Sequence, residues 1–428
     1  MVKFGLTFIS LSLLTNLLLL GSGCSSPTPK VTSEDPPNPS TVTKRTKRKH
    51  EKALPPTPVL GFKSAEIPSS VKKLWTQKLD GLITDLSVAE SGKAILVATA
   101  PDRENDPSAT LYHLDYFSPK GKLIWSHPSK TALKSASLSP DGSLVVFETY
   151  ENQIFGMSGR GEVLWSIEGN CKPIPIAWQK RVLCYHDDDP EPGTAFDVYT
   201  WEGKKILSYP IANDILLLKM SEDKRNMVIA LTEGEIVLFG SDFRPKWQKK
   251  VPGEIIDIAV SSSSEPRVAA LFVVGKKVEG KQKLVYFDAL GKKVSEGVPA
   301  NHAEQIEISP DGASFAAYGN SENGQYLGFF TPDGKELSEK WKRGDSKQAD
   351  YSSAVNLNQN TVILGFEQLD ETGRHSHMLG FDFSGDLKWN IPLVTEEGAY
   401  NYAHALSLDQ LLAVGTDDNK LNAYRLNQ

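Results

Sequence analysis

Lys120-Gly121-Lys122-Leu123-Ile124-Trp125 is echoed by Arg160-Gly161-Glu162-Val163-Leu164-Trp165 and again by Ser384-Gly385-Asp386-Leu387-Lys388-Trp389. Each copy has a glycine, a charged residue, two mostly apolar residues and a tryptophan. Degenerate copies lie at 203–207, 244–247, 291–295 and 334–338, and a headless one, Lys73-Leu74-Trp75, opens the series. Aligned on the tryptophan, the eight fall at 75, 125, 165, 207, 247, 295, 338 and 389, at intervals of 40 to 51 residues. A period of this length, built from short strands, marks propeller blades or another stacked repeat array.

Working outward from the second copy, 136–139 approaches the turn Pro140-Asp141-Gly142 and 143–147 returns. Then 153–157 leads through Arg160-Gly161 into the tryptophan phrase. That is four strands joined by hairpin-type turns. The same four recur from 304 to 338. Alternation is visible where Ile306 and Ile308 flank Glu307, and where Ile256 and Ile258 flank Asp257. No stretch after residue 60 has convincing helical periodicity.

The strand count predicts the architecture. The tryptophan phrase is a fourth, outer strand, and a triplet of strands also occurs eight times, beginning at 84, 135, 174, 216, 256, 305, 354 and 404. The first fourth-strand, 72–78, has no triplet before it, and the last triplet, ending at 420–426, has no fourth strand after it. Pairing these two orphans closes a ring and removes its worst open edge. The expectation is an all-β, eight-bladed propeller over 61–428, latched by 72–78 beside 420–426. Seven blades is the alternative, because the unit spanning 336–386 is irregular.

The repeat Leu-Tyr-x-x-Asp-x-x-Gly-Lys-x-x-Trp, clearest at 284–292 and 379–389, resembles the quinoprotein-type propeller repeat. The Ser-Pro-Asp-Gly turns at 139–142 and 309–312 resemble those of WD40 and TolB-type propellers. Such resemblance implies a fold more than a task, since propellers host many activities. The quinone dehydrogenases of this type bind quinone and calcium, often beside two adjacent cysteines. This chain has no adjacent cysteine pair and short loops.

The N-terminus reads differently. Lys3 precedes an apolar run over 6–20 that ends in Gly21-Ser22-Gly23-Cys24. The run is too short to span a bilayer comfortably and has the flanks of a signal peptide. Ser-Gly before cysteine resembles a bacterial lipobox, which implies lipidation of Cys24. Gly21 stands where that pattern has Leu. Residues 25–60, rich in Pro and Ser, read as a tether. It carries seven Lys/Arg against three Asp/Glu, so with Lys3 the remainder, 61–428, holds -11 of a chain total of -6. A basic tether under an acidic head suits an anionic lipid or wall surface; it equally suits a solvated linker. No face-wide basic excess suggests nucleic acid. The absence of Asp at Ser25 favours the outer membrane where a cell has two. The whole resembles the propeller lipoproteins of the outer-membrane β-barrel assembly machinery. The expected location is the bacterial cell envelope, outside the cytoplasmic membrane.

Propeller geometry places first-to-second and third-to-fourth turns on one face, and the other connections on the opposite face. The latter are long and variable in sequence at 100–109, 187–195, 276–282, 320–325, 368–375 and 394–401. Binding usually sits on such loops. Asp187, Asp188 and Asp189 concentrate carboxylates, but lack the alternating spacing and glycine of calcium loops. His375 and His377 share a strand face without a nearby third ligand, and Arg374 stands beside them. Tyr400, Tyr402 and His404 precede or begin an inner strand and offer a partner-binding patch. Cys171 and Cys184 bracket a hairpin and can pair in an exported protein. No nucleophile elbow, His-Glu-x-x-His or P-loop appears. The expectation is a non-enzymatic scaffold without cofactor that binds a protein or envelope polymer. The alternatives are a glycan- or peptide-sensing lipoprotein and a quinone-dependent enzyme.

Overall fold

The computed structural model describes residues 71–103, 106–186, 194–210, 214–275, 280–299, 302–321, 324–333, 336–343, 356–358, 361–370, 373–393, 401–407, 409–416 and 418–426. All belong to one compact unit, Pro58–Gln428. The described residues form eight four-stranded antiparallel blades of a β-propeller. Blades 1 to 7 span 81–129, 133–168, 172–210, 215–250, 254–297, 305–343 and 356–393. Blade 8 takes three strands from 401–426 and its fourth from Val71–Lys78. Eight blades, not seven, is therefore the architecture.

Closure is by the predicted pair. Val71–Lys78 runs antiparallel to Lys420–Leu426, from Val71 opposite Leu426 to Lys78 opposite Lys420. Thr76 Oγ1 donates to Asn422 Oδ1 across it at 2.9 Å. Helix is confined, among the described residues, to two three-residue 3-10 turns, Ala177–Gln179 and Thr232–Gly234.

The second strands of the blades are almost wholly apolar and buried, as Leu144, Val145, Val146 and Phe147 illustrate. They read as continuous runs because both faces meet a neighbouring blade. The core is accordingly a ring of separate clusters, one per described interface. Ile83, Leu86, Ile95 and Val97 of blade 1 pack on Leu411, Ala413, Leu421 and Ala423 of blade 8, sealing the closure.

The tryptophan phrase shows why its spacing resists simple alternation. Each outer strand carries a bulge just before the tryptophan position: Trp125 pairs with Tyr116 and Leu123 with Phe117, leaving Ile124 unpaired. The same irregularity precedes Trp75, Trp165, Leu207, Trp247, Ser295 and Trp389. Bulges twist an outer edge and discourage edge-to-edge pairing.

Blade 6 corrects the sequence alignment. Its bulge separates Glu339 from Trp341, and Trp341 pairs with Phe329. Trp341, not Ser338, holds the tryptophan register. The cause is a hairpin lengthened by the pairs Thr331–Ser338, Pro332–Leu337 and Asp333–Glu336. Two expected loops are also strands. Residues 320 and 321 end Phe315–Ser321, and 324 and 325 begin Gly324–Asp333. Residues 368–370 and 373–375 belong to Thr361–Asp370 and Gly373–Asp382.

Candidate functional site: two unlike faces of one ring

Three kinds of hydrogen bond cross from one blade to the next. The first runs from the indoles. Trp75, Trp125 and Trp165 donate Nε1–H to the carbonyls of Pro119, Gly159 and Trp201, at 2.9, 3.1 and 2.6 Å. Each acceptor lies two residues before the turn glycine of the following blade: Gly121, Gly161 and Gly203. Those glycines have φ of 78°, 87° and 79° and lie flat against the indole. Trp247 stacks on Gly291 in the same way.

The second kind uses tyrosines. Tyr116 donates to the carbonyl of Gly142 at 2.8 Å, and Tyr286 to that of Gly312. These glycines close the two Ser-Pro-Asp-Gly turns. Asp141 and Asp311 accept from the Ser139 and Ser309 hydroxyls at 2.7 and 2.6 Å. The turns are therefore rigid fittings rather than reactive groups.

The third kind uses carboxylates. Asp85 accepts from Ala136 N–H at 3.0 Å, Glu148 from Cys171 N–H at 3.0 Å and Asp257 from Ile306 N–H at 2.8 Å. Burial pushes the Asp85 and Asp257 carboxyls up from their ordinary range, against these hydrogen bonds. Lys219 lies 3.3 Å from Asp257 and 3.6 Å from Glu307, joining blades 4, 5 and 6. The Lys219 ammonium is held well above its usual range by the two carboxylates, which outweigh its burial. Such buried charges in an unknown protein suggest a reactive centre. Here they satisfy inner-strand amides and one another.

At the short-turn face, Lys224 of blade 4 reaches 3.6 Å from Glu90 of blade 1 and 3.3 Å from the Pro175 carbonyl of blade 3. This pair spans the ring near its axis.

The opposite face also offers exposed apolar groups. Tyr150 is 67% exposed, Val298 64% and Leu216 40%. A cavity of about 510 Å³ opens there between blades 4 and 5. Leu216, Val251 and Pro252 line it beside the ion pair of Lys250 and Glu233 at 3.0 Å. Blade 4 joins its second and third strands there by the turn at Thr232–Gly234, a connection that sequence reasoning passed over for longer ones.

The sequence-derived candidates separate. Cys24, Asp187, Asp188, Asp189 and Tyr400 lie outside the described residues. Arg374 and His375 stand at the tip of the blade 7 hairpin, opposite Leu369 and Gln368. Tyr402 is the bulged position of the first strand of blade 8, between Asn401 and Ala403. His404 follows on that strand, and its Nε2 is buried without a partner. Burial lowers its pKa to about 4, so it is neutral at physiological pH. Cys171 and Cys184 are joined as a disulfide, their Cα atoms 5.4 Å apart. Cys184 lies opposite Pro173 across the hairpin that the 3-10 turn Ala177–Gln179 closes.

Among the described residues no three or more His, Cys, Asp or Glu side chains gather as metal ligands, and no helix is long and apolar enough to cross a membrane.

No family model matches the chain, and no curated protein does. The fold is similar to that of the computationally designed Ika8 protein, with a TM-score of 0.56 and 13% identity over 83% of this chain and 99% of that one. It is similar to BamB from Moraxella catarrhalis, with a TM-score of 0.53 and 14% identity over the same shares. At this identity the likeness is one of fold: the chain is an eight-bladed β-propeller.

Proposed function

We propose that this protein is an exported, lipid-anchored, non-enzymatic propeller that binds a protein partner through its long-loop face. The observation that carries the reading is the cavity on that face between blades 4 and 5, walled by exposed Leu216 with Val251 and Pro252 beside the Lys250–Glu233 ion pair. Exposed Tyr150 and Val298 stand elsewhere on the same face. Exposed apolar groups rimmed by charge are a mark of interaction surfaces. The likeness to BamB in fold is compatible with a scaffold. The anchor reading rests on Cys24 and its flanks.

The test is site-specific photocrosslinking in intact cells, with the probe at Tyr150, Val298 or Leu216 and a control at Gln410 on the short-turn face. One discrete protein adduct from the first three positions and none from the fourth is expected. Adducts to wall polymer alone would replace a protein partner by a glycan. Absence of any adduct would remove the face as the binding surface. Substituting Cys24→Ser should release the protein from the membrane fraction; retention would sink the anchor.

A further inference from the structure

The interface between blades 3 and 4 departs from the pattern of the three interfaces before it. Leu207 stands in the tryptophan register of blade 3, opposite Val198. Phe243 stands where the next blade has its turn glycine: its N–H bonds the Gly240 carbonyl just as Gly121 N–H bonds Ser118 and Gly161 N–H bonds Ser158. Phe243 has a φ of 58°, a left-handed conformation that is costly for a bulky residue. The large residue has moved from one blade to the other. The donor has moved too. Gln179 Nε2 gives its hydrogen to the Ser241 carbonyl at 2.6 Å, the position that accepts an indole N–H at the three preceding interfaces.

The exchange does not refill the space. A slot of about 330 Å³ remains, lined by Gln179, Arg181, Ile206, Leu207, Asp242 and Phe243 among others. That is the lower end of the ~300–1,000 Å³ range of ligand pockets. It opens on the rim beside the outer strand Lys205–Pro210, whose outward edge has no partner strand in the sheet. Ile206 on that strand is 47% exposed. Trp178 on the adjoining turn is 45% exposed, with the Arg225 guanidinium 5.6 Å from its ring. Exposed tryptophan and arginine beside a slot that mixes Ile206, Leu207 and Phe243 with Gln179, Arg181 and Asp242 is the composition of binding hot spots.

We propose that this slot takes the planar aromatic side chain of an extended segment of a partner protein, laid along the edge of Lys205–Pro210. The ring itself shows the fit, because an indole fills the equivalent place at neighbouring interfaces. Beyond the bulge at Ile206, the edge over 207–210 supplies backbone hydrogen bonds, and the slot takes one side chain in alternation. The surface lies on the rim of the short-turn face, so it is independent of the long-loop reading.

The probe is N-acetyl-tryptophanamide, with N-acetyl-alaninamide as control, titrated into methyl-labelled protein. Saturable shifts of the Ile206, Leu207 and Val198 methyls are expected for the first, with Kd of about 1 mM, and none for the second. Two variants close the slot. L207W/F243G restores the regular indole and glycine, and Ile206→Lys alters only an exposed group. Each should keep the parent melting transition and weaken binding at least about tenfold. No saturable shift in the parent, or undiminished binding by the folded I206K variant, would overturn the proposal. So would a β-glucan oligosaccharide shifting these methyls where the tryptophan probe does not, since the occupant would then be a glycan.

Discussion

Gly161 shows how one residue carries an interface. At φ 87° it adopts a conformation that L side chains rarely take, and an added Cβ would lie 2.9 Å from Trp125 Cγ. The Trp125 N–H bond to Gly159 depends on the same close approach. Gly161→Ala is expected to cost about 1–3 kcal/mol, read as a lowered midpoint in denaturant. Glu307 makes a different prediction. Burial raises its pKa more than Lys219 lowers it, so the folded state holds this proton more tightly than the unfolded chain. Stability from this group is fully present below the unfolded value near 4.5 and is lost as pH rises through the folded value. Glu307→Gln should therefore melt above the parent in neutral and alkaline buffer, by about 1–2 °C. The gap should close in acid. A gap that widens in acid would reverse the sign and make Glu307 a stabilising anion.

At the scale of elements, the outer strand of blade 8 is the decisive one. It is the only described outer strand contributed from the opposite end of the chain to its three partners. Deleting 420–428 removes the whole partner of Val71–Lys78 and one wall of the cluster around Leu421 and Ala423. The truncated protein should lose the cooperative transition of the full chain or aggregate. A parental melting curve would place the latch elsewhere. The disulfide ties the segment entering blade 3 to the second strand of that blade, across 13 residues. Reduction in denaturant should add the mass of two hydrogens. Replacing both cysteines by serine should cost about 2–3 kcal/mol. The strands themselves were largely legible, since first strands were expected within about three residues of where they begin. The outer bulges were not. Leu123, Ile124 and Trp125 look like three successive strand residues, and only pairing shows that Ile124 is skipped. The longer hairpin of blade 6 was not legible either, so Ser338 stood in the sequence alignment where Trp341 holds the register.

At the scale of the molecule, the sequence by itself yielded the ring closure, the division into two faces and an expectation of eight blades, with seven as the alternative. Those follow from period, strand count and the orphaned strands at each end, all of which are properties of order along the chain. Several sequence candidates, among them Cys24 and Asp187, lie outside the described residues, and their roles rest on the sequence alone. The tertiary structure decided which polar groups are structural. Asp85, Asp257 and Lys219 carry no local signature, because their partners come from other blades. It also decided that Leu207, Phe243 and Gln179 belong together, though they lie in three separate stretches of two blades. A repeat read in one dimension records Leu207 as a degenerate tryptophan. Only packing across an interface reveals that the hydrogen bond was handed to Gln179, 28 positions away, and that Phe243, 36 positions away, refills the volume only in part, because contacts between blades are set by the ring and not by the sequence interval.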